Sequence, residues 1–173
     1  MSFKLRFDAG KIPEYASLYD YPGESELIAG PVRHARGRGW LIYDEFIAIA
    51  SWKSQRPRKR QAANLPAFVE EVTKVALAIH SSPKLAIEVL TLLDGVSWPT
   101  ASAILHLCHR DPWPILDFRA LWSVGSEVPS QYTFDFWRRY VDFTREVADR
   151  THVDMRTLDR ALWKYSNLYQ RAT

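Results

Sequence analysis

The chain has 173 residues, of which 47% are hydrophobic and 25% are charged, proportions typical of one folded globular domain rather than a disordered chain. Because Cys108 is the only cysteine, an intramolecular disulfide, a cysteine-rich zinc site and a four-cysteine iron–sulfur cluster are excluded. Since no apolar run reaches the roughly 18 residues of a membrane span and residues 1–11 lack a signal-peptide core, we expect a cytoplasmic protein.

Basic side chains are concentrated in residues 31–60, whereas the whole chain has a formal charge of only +3. The basic residues of this segment are Arg33, Arg36, Arg38, Lys53, Arg56, Arg58, Lys59 and Arg60, against the acids Asp44 and Glu45. The segment therefore carries +6 and the remainder of the chain −3. This asymmetry indicates a surface for a polyanion, with a solvated loop as the alternative interpretation.

In chain order, the first 40 residues hold five of the seven glycines, together with three prolines. They predict an irregular N-terminal arm, with one short helix near residues 25–29, packed on a helical domain of residues 41–173. Residues 43–52 predict the first long helix, with Asp44 as its cap, and Pro57 then breaks the basic segment. Residues 65–80 predict a second long helix with one buried stripe, formed by Phe68, Val72, Val75 and Ile79.

The second half of the chain also has helical patterns. Ser82 before Pro83 is typical of a helix N-terminus and predicts a helix through Leu93, followed by another over residues 99–109. After a Pro-rich link, Asp117 can cap a helix that continues to Val124, and residues 134–150 and 155–169 predict two more helices. With little strand alternation, the predicted fold class is all-α, a helical array.

The sequence between residues 92 and 105 predicts a helix-hairpin-helix motif at the centre of this array. Gly95 permits a tight turn and the close approach of a phosphate, and Val96 fills the gap between the helices. The free N–H groups at the start of the second helix then form an anion site. Such a hairpin contacts the DNA backbone without reading bases, and an ordinary tight turn is the alternative interpretation.

Residues 85–122 resemble the helix-hairpin-helix DNA glycosylase superfamily, the fold of the 8-oxoguanine DNA glycosylase-like enzymes. Gly95, Val96 and Ser97 match its Gly-Val-Gly hairpin, and Pro114 with Asp117 matches its Pro-x-x-Asp motif. More weakly, residues 49–53 resemble the segment that in this superfamily precedes the residue wedged into the base stack.

The resemblance implies a monomeric base-excision repair enzyme that acts on DNA containing a damaged or modified base. Asp117 would stabilise the oxocarbenium character of the deoxyribose and orient water. The flipped base would stack on aromatic side chains, for which the candidates are Trp98, Trp113, Trp122 and Trp163. The candidate DNA contacts are Gly95, Val96, Ser97, Trp98 and Thr100 of the hairpin, and Lys53, Arg56, Arg58, Lys59 and Arg60 of the basic segment.

Two departures from the superfamily pattern limit what this chain is expected to do. Ser97 replaces the second hairpin glycine, so serine must tolerate or relax a backbone position with positive φ. Pro99 stands where bifunctional members carry their Schiff-base lysine, so we expect a monofunctional N-glycosylase without lyase activity. No cofactor is expected, except that the resemblance allows a monovalent cation at the hairpin.

Several alternatives remain at the level of sequence. Asp117 is also an ordinary helix cap, so a non-catalytic nucleic-acid-binding module on the same scaffold is the second interpretation. An all-α interaction protein unrelated to DNA is the third. His106 and His109 have zinc-ligand spacing but no evident third ligand, so no metal site is predicted, and Cys108 is expected in the core.

Overall fold

The computed structural model describes residues 3–171, and throughout this range the regular structure is helical, which confirms the predicted all-α fold class. A 3₁₀-helix at Ala9–Lys11 and a π-helical segment at Ile28–Val32 accompany the α-helices. The α-helices are α1 (Ile12–Ser17), α2 (Glu24–Leu27), α3 (Arg33–Arg38), α4 (Tyr43–Lys53), α5 (Arg58–Gln61), α6 (Pro66–Ala76), α7 (Pro83–Leu90), α8 (Trp98–Cys108), α9 (Phe118–Ser123), α10 (Phe134–Thr151) and α11 (Met155–Tyr169). None of the helices in this range combines the length and apolar character needed to cross a bilayer.

The chain forms two compact units. The central unit is Tyr21–Trp113 and contains α2 to α8. The terminal unit is formed by the described residues on either side of it and contains α1 and α9 to α11. Residues 3–20 thus belong with the C-terminal helices, a grouping that the sequence pattern does not reveal.

Helix α8 is the core of the central unit. Every residue from Thr100 to Cys108 is buried, and α8 packs against α3, α4 and α7. Fully buried side chains from the neighbouring helices, including Phe46, Ile49 and Ile87, complete this core. Because α8 is packed on all its faces over these residues, its position within the unit is fixed. The prediction that Cys108 is a core side chain is confirmed.

The terminal unit is built around α11, which packs against α1, α9 and α10. Its apolar face buries Leu158 and Leu162, and α10 contributes the fully buried Trp137 and Tyr140. At the other side of α11 the Nζ atom of Lys164 donates to Asp20 Oδ1 at 2.8 Å. This side-chain hydrogen bond lowers the pKa of Asp20.

The predicted buried stripe of the second long helix is wrong. Helix α6 ends at Ala76, and Phe68, Val75 and Ile79 are exposed, while the buried residues are Val69, Val72, Thr73 and Ala76. The reason is the hydroxyl of Thr73, which accepts a hydrogen bond from the buried N–H of Leu41 at 3.0 Å. A polar residue is therefore part of the buried face, which a hydrophobic pattern cannot detect.

The N-terminal segment is more helical than its turn residues predict. Instead of one short helix near residues 25–29, it contains α1, α2 and α3. Pro13 lies in the first turn of α1, where a missing N–H has no cost, and Gly39 ends α3 with φ +92°. These residues mark the ends of short helices rather than an irregular arm.

The predicted cap of the first long helix is also wrong. Helix α4 begins after Ile42, and the carboxylate of Glu45, not that of Asp44, accepts the Ile42 N–H at 3.0 Å. By contrast, the start of α7 is as predicted, because Ser82 Oγ accepts from the N–H of Leu85. Helix α4 begins at Tyr43 as predicted, so its N-cap position is Ile42, and the carboxylate three residues later, Glu45, reaches back to that N–H.

Candidate nucleic-acid interface

The turn between α7 and α8, residues 91–97, depends on a single glycine. Gly95 has φ +74°, a conformation that L side chains rarely adopt. A Cβ atom at this position would lie 2.9 Å from both the backbone N and the Cγ of Gln61. Val96, the next residue, is buried, with 8% of its surface exposed. Gly95 therefore makes the tight turn that the sequence predicts.

Of the two alternatives for Ser97, the structure shows the relaxed one. Its φ of −103° and ψ of 173° are extended, and the positive φ in the turn is that of Gly95. Ser97 is the N-cap residue of α8, and within residues 3–171 its exposed side chain makes no capping hydrogen bond. The first turn of α8 also contains Pro99. In the described part of the chain, this helix therefore starts without a side-chain cap of its own.

Two side-chain amides join the basic segment to this turn. Asn64 Oδ1 accepts from the N–H of Asp94 at 2.8 Å, and its Nδ2 donates to the carbonyl of the same residue at 2.9 Å. Gln61, fully buried at the end of α5, directs its Nε2 toward the carbonyl of Gly95 at 3.4 Å. The segment after Pro57 and the hairpin turn, separate features in the sequence, thus form one continuous surface.

The cations of this surface face solvent. Arg56, Arg58 and Lys59 are exposed, and none of them forms an ion pair within the part of the chain that the structure describes. Arg60 is exposed as well, with its Nη2 atom 3.9 Å from Asp94 Oδ1. Lys53, at the end of α4, is half-buried. Four exposed cations therefore lie in the segment whose side-chain amides bind the turn. Among the described residues, their one carboxylate partner is Asp94, 3.9 Å from Arg60.

Asp117 begins α9 in the terminal unit, and its predicted role as a cap is confirmed. Its Oδ1 accepts from the N–H of Arg119 at 2.8 Å, and its side chain is half-buried. Burial first, and then the negative charge of Asp117, raise the pKa of Tyr132. Burial likewise raises the pKa of Tyr140, to which Asp117 also contributes. The carboxylate is thus held in place beside phenols that stay protonated at neutral pH.

The four candidate tryptophans have different surroundings. In the central unit Trp98 is half-buried at the start of α8, and Trp113 is buried. In the terminal unit the ring of Trp122 lies under the Arg6 guanidinium and beside Tyr165, at the edge of an open groove of about 870 Å³. Trp163 packs against Tyr19 and Arg119. Trp122 and Trp163 therefore contact different partners rather than one shared aromatic cluster.

The two histidines of α8 and its end bind backbone groups. His106 Nδ1 lies 2.5 Å from the carbonyl oxygen of Trp113, and His109 Nδ1 accepts from the N–H of Asp111 at 2.9 Å. In residues 3–171 no group of three or more His, Cys, Asp or Glu side chains is placed to hold a metal ion.

The residues that sequence reasoning missed are Gln61 and Asn64. Both lie just after the basic segment, and nothing in their spacing indicates that they bind a turn some 30 residues later. Each residue acts through one side-chain amide group, so neither adds to an apolar or charged pattern that could be recognised in the sequence.

No protein family model, no curated protein and no solved structure matches this chain. The resemblance to the helix-hairpin-helix glycosylases therefore depends on the motif residues alone, and function must be argued from the geometry of the site.

Proposed function

We propose that this chain binds the phosphate backbone of DNA through the α7–α8 turn and the exposed cations of residues 56–60, which together we call the backbone-binding surface. The observation that carries the proposal is the pair of hydrogen bonds between the Asn64 side chain and the backbone of Asp94, with Gln61 beside Gly95. These contacts hold the cationic segment next to the turn, so we expect both to contact the same DNA backbone.

The start of α8 supplies the directional part of this surface. A helix N-terminus presents backbone N–H groups and a positive partial charge, and both favour a phosphate oxygen. Ser97 makes no capping bond of its own within the described chain, and its side chain is exposed. Helix α8 is buried from Thr100 to Cys108, so packing fixes the helix behind its half-buried first turn, in which Pro99 contributes no N–H.

The cations supply the long-range part. Arg56, Arg58 and Lys59 have no ion-pair partner within residues 3–171, so a phosphate does not have to displace a carboxylate. Lys and Arg side chains of this kind release counterions from DNA and give affinity that falls steeply with salt. Neither the amides nor these cations read base edges, so the binding is independent of sequence.

The direct test is fluorescence anisotropy of a labelled duplex, measured over a range of salt concentrations, with the variant Arg56→Gln/Arg58→Gln/Lys59→Gln. We expect log Kd to depend linearly on log salt, and the slope to fall by about 1 for each phosphate contact removed. At low salt the variant should bind at least about tenfold more weakly.

The matched control is Arg138→Gln/Arg139→Gln/Arg150→Gln, which removes the same charge from exposed positions of α10. The control should keep nearly all of the affinity and slope. If both triple variants lose affinity equally, the attraction comes from net charge alone, and the backbone-binding surface is rejected.

A catalytic role for Asp117 is the second part of the proposal, and it makes the chain a monofunctional DNA N-glycosylase. In this reaction the C1′–N bond breaks, water adds its oxygen to C1′, and the departing base takes up a proton. A carboxylate near C1′ stabilises the developing positive charge and accepts a proton from the attacking water. The support is a half-buried Asp117 whose Oδ1 is oriented by the N–H of Arg119.

Asp117→Asn separates this role from that of a cap, because asparagine caps a helix about as well as aspartate. Wild-type protein is incubated with duplexes that each carry one modified base, and abasic sites are cut with hot alkali. Cleavage at one lesion that disappears in Asp117→Asn, with DNA binding and thermal stability retained, supports the enzyme. Silence across the panel with salt-sensitive binding supports the non-catalytic module.

The absence of a lyase step is tested separately. With Pro99 in place of the amine, borohydride should trap no covalent adduct between the protein and damaged DNA. A trapped adduct would identify another amine nucleophile, with Lys53 as the first to replace, and would contradict the monofunctional assignment.

A further inference from the structure

A small cavity lies at the C-terminal end of α8, within the central unit. It has a volume of about 240 Å³, and it is lined by Arg36, Cys108, His109 and Arg110. A water molecule occupies about 30 Å³ of liquid volume, so the cavity has room for a small oxyanion together with water. Since α8 has 11 residues and rises about 1.5 Å per residue, its two ends are separated by roughly 16 Å. The cavity is therefore distinct from the amides at the start of the helix.

Two guanidinium groups define the charge of this cavity. Arg36 comes from α3, and its Nε donates to the carbonyl of Leu107 at 2.6 Å, which fixes the side chain against the last turn of α8. The positive charge also offsets the negative partial charge of the helix end. Within residues 3–171 neither Arg36 nor Arg110 forms an ion pair.

The acids nearby do not neutralise these cations. Glu45 is already paired with Arg38 through a hydrogen-bonded salt bridge. The side chain of Asp111 is 62% exposed, with its Oδ2 atom 3.9 Å from His109 Nδ1, and it is outside the lining of the cavity. The net local charge is therefore positive.

The other two lining side chains, Cys108 and His109, add no negative charge to the cavity. Burial raises the pKa of Cys108 to about 12, so at neutral pH its thiol is protonated and does not repel an anion. His109 is buried, and its Nδ1 accepts the Asp111 N–H at 2.9 Å.

We propose that this cavity binds a phosphate group between the guanidinium groups of Arg36 and Arg110. The source of the group is either a phosphate of the nucleic-acid backbone or free inorganic phosphate, since both present the same oxygens. Arginine is well suited to this role because its fork of N–H donors matches phosphate geometry. The inference does not depend on the proposed DNA binding, because free phosphate would occupy the cavity without it.

Isothermal titration calorimetry with inorganic phosphate tests the site directly. The matched titration uses chloride at the same ionic strength. Phosphate should give a saturable binding heat at concentrations where chloride gives none.

Arg110→Gln and Arg36→Gln should each weaken phosphate binding about tenfold, the usual effect of losing a charge-assisted hydrogen bond. The matched control is Arg33→Gln, an exposed arginine on the same helix as Arg36 and outside the cavity. The proposal is overturned if titration with phosphate detects no binding, if chloride gives the same binding heat as phosphate, or if Arg33→Gln has the same effect as Arg110→Gln.

The source of the phosphate is decided by the duplex anisotropy measurement. If Arg110→Gln lowers the salt slope of DNA binding by about 1, the group is a backbone phosphate. If Arg110→Gln leaves the DNA affinity unchanged but weakens the binding of inorganic phosphate, the cavity binds the free anion. If the protein binds inorganic phosphate but does not bind DNA, the proposed function is rejected and the phosphate site is retained.

Discussion

The start of α8 and the start of α9 are the same structural element with different partners. At α9 the carboxylate of Asp117 accepts the N–H of Arg119, so the protein itself satisfies the helix start. At α8 Ser97 stands in the same position but, among the described residues, makes no such bond. A helix N-terminus is available to an external anion when no side chain of the protein caps it.

The largest effect is expected from Gly95→Ala, which tests whether the α7–α8 turn tolerates any side chain. The new Cβ would combine a left-handed φ with contacts of 2.9 Å to Gln61 and 3.1 Å to the carbonyl of Pro57. We expect a loss of about 3 kcal/mol in the free energy of unfolding, measured by urea denaturation.

Gly37→Ala is the matched control for that substitution. Gly37 lies inside α3 without a positive φ, and a methyl group added there would enter open space. Alanine at this position should stabilise the protein by about 0.5 to 1 kcal/mol, because it favours the helix. Equal destabilisation at both positions would show that the turn is not special.

The next effect concerns Asn64, whose amide holds the turn from outside. Asn64→Ala removes both hydrogen bonds to Asp94 and should cost about 2 kcal/mol of unfolding free energy. It should also weaken DNA binding, because the turn and the cations are no longer joined. Asn167→Ala, at an exposed position of α11, should change neither quantity. Unchanged DNA affinity in Asn64→Ala would separate fold stability from the backbone-binding surface.

Ser97→Asp tests the difference between the two helix starts most directly, since it gives α8 the kind of cap that α9 has. The new carboxylate should stabilise the folded protein by up to about 1 kcal/mol through the helix N-terminus. It should also weaken DNA binding about tenfold, because it occupies the amides and repels phosphate. Ser97→Asn serves as the uncharged control. Tighter DNA binding in Ser97→Asp would contradict the proposed role of the α8 start.

The smallest effect comes from Asp154, which caps α11 and gives a reference for Asp117 as a cap. The hydrogen bond from the Thr157 N–H lowers the pKa of Asp154, so its stabilisation is present above its unfolded pKa and is lost as pH falls through the folded value. Asp154→Asn should therefore match the wild type at pH 7 but lose less stability below about pH 4. Thermal unfolding at pH 7 and pH 3 checks this. An identical pH dependence in both proteins would exclude a titrating cap.

The sequence predicted features that depend on one residue and its immediate neighbours. Ser82 with Pro83, Asp117 as a cap and Gly95 in the turn are local choices with few alternatives. The buried face of α6 could not be predicted, because it is decided by a hydrogen bond between Thr73 and Leu41. Likewise, side-chain amides 30 or more residues away hold the turn, and no local pattern records such contacts.

The discontinuity of the terminal unit has a consequence for how the chain folds. Residues Tyr21–Trp113 form a continuous stretch, so the central unit can fold as soon as that stretch leaves the ribosome. Helix α1 must wait for its main partner, α11, which begins more than 130 residues later in the chain. The closure of that long loop is slow relative to local helix pairing. The unit that contains Asp117 is therefore the last to form, and the unit that contains the α7–α8 turn is the first.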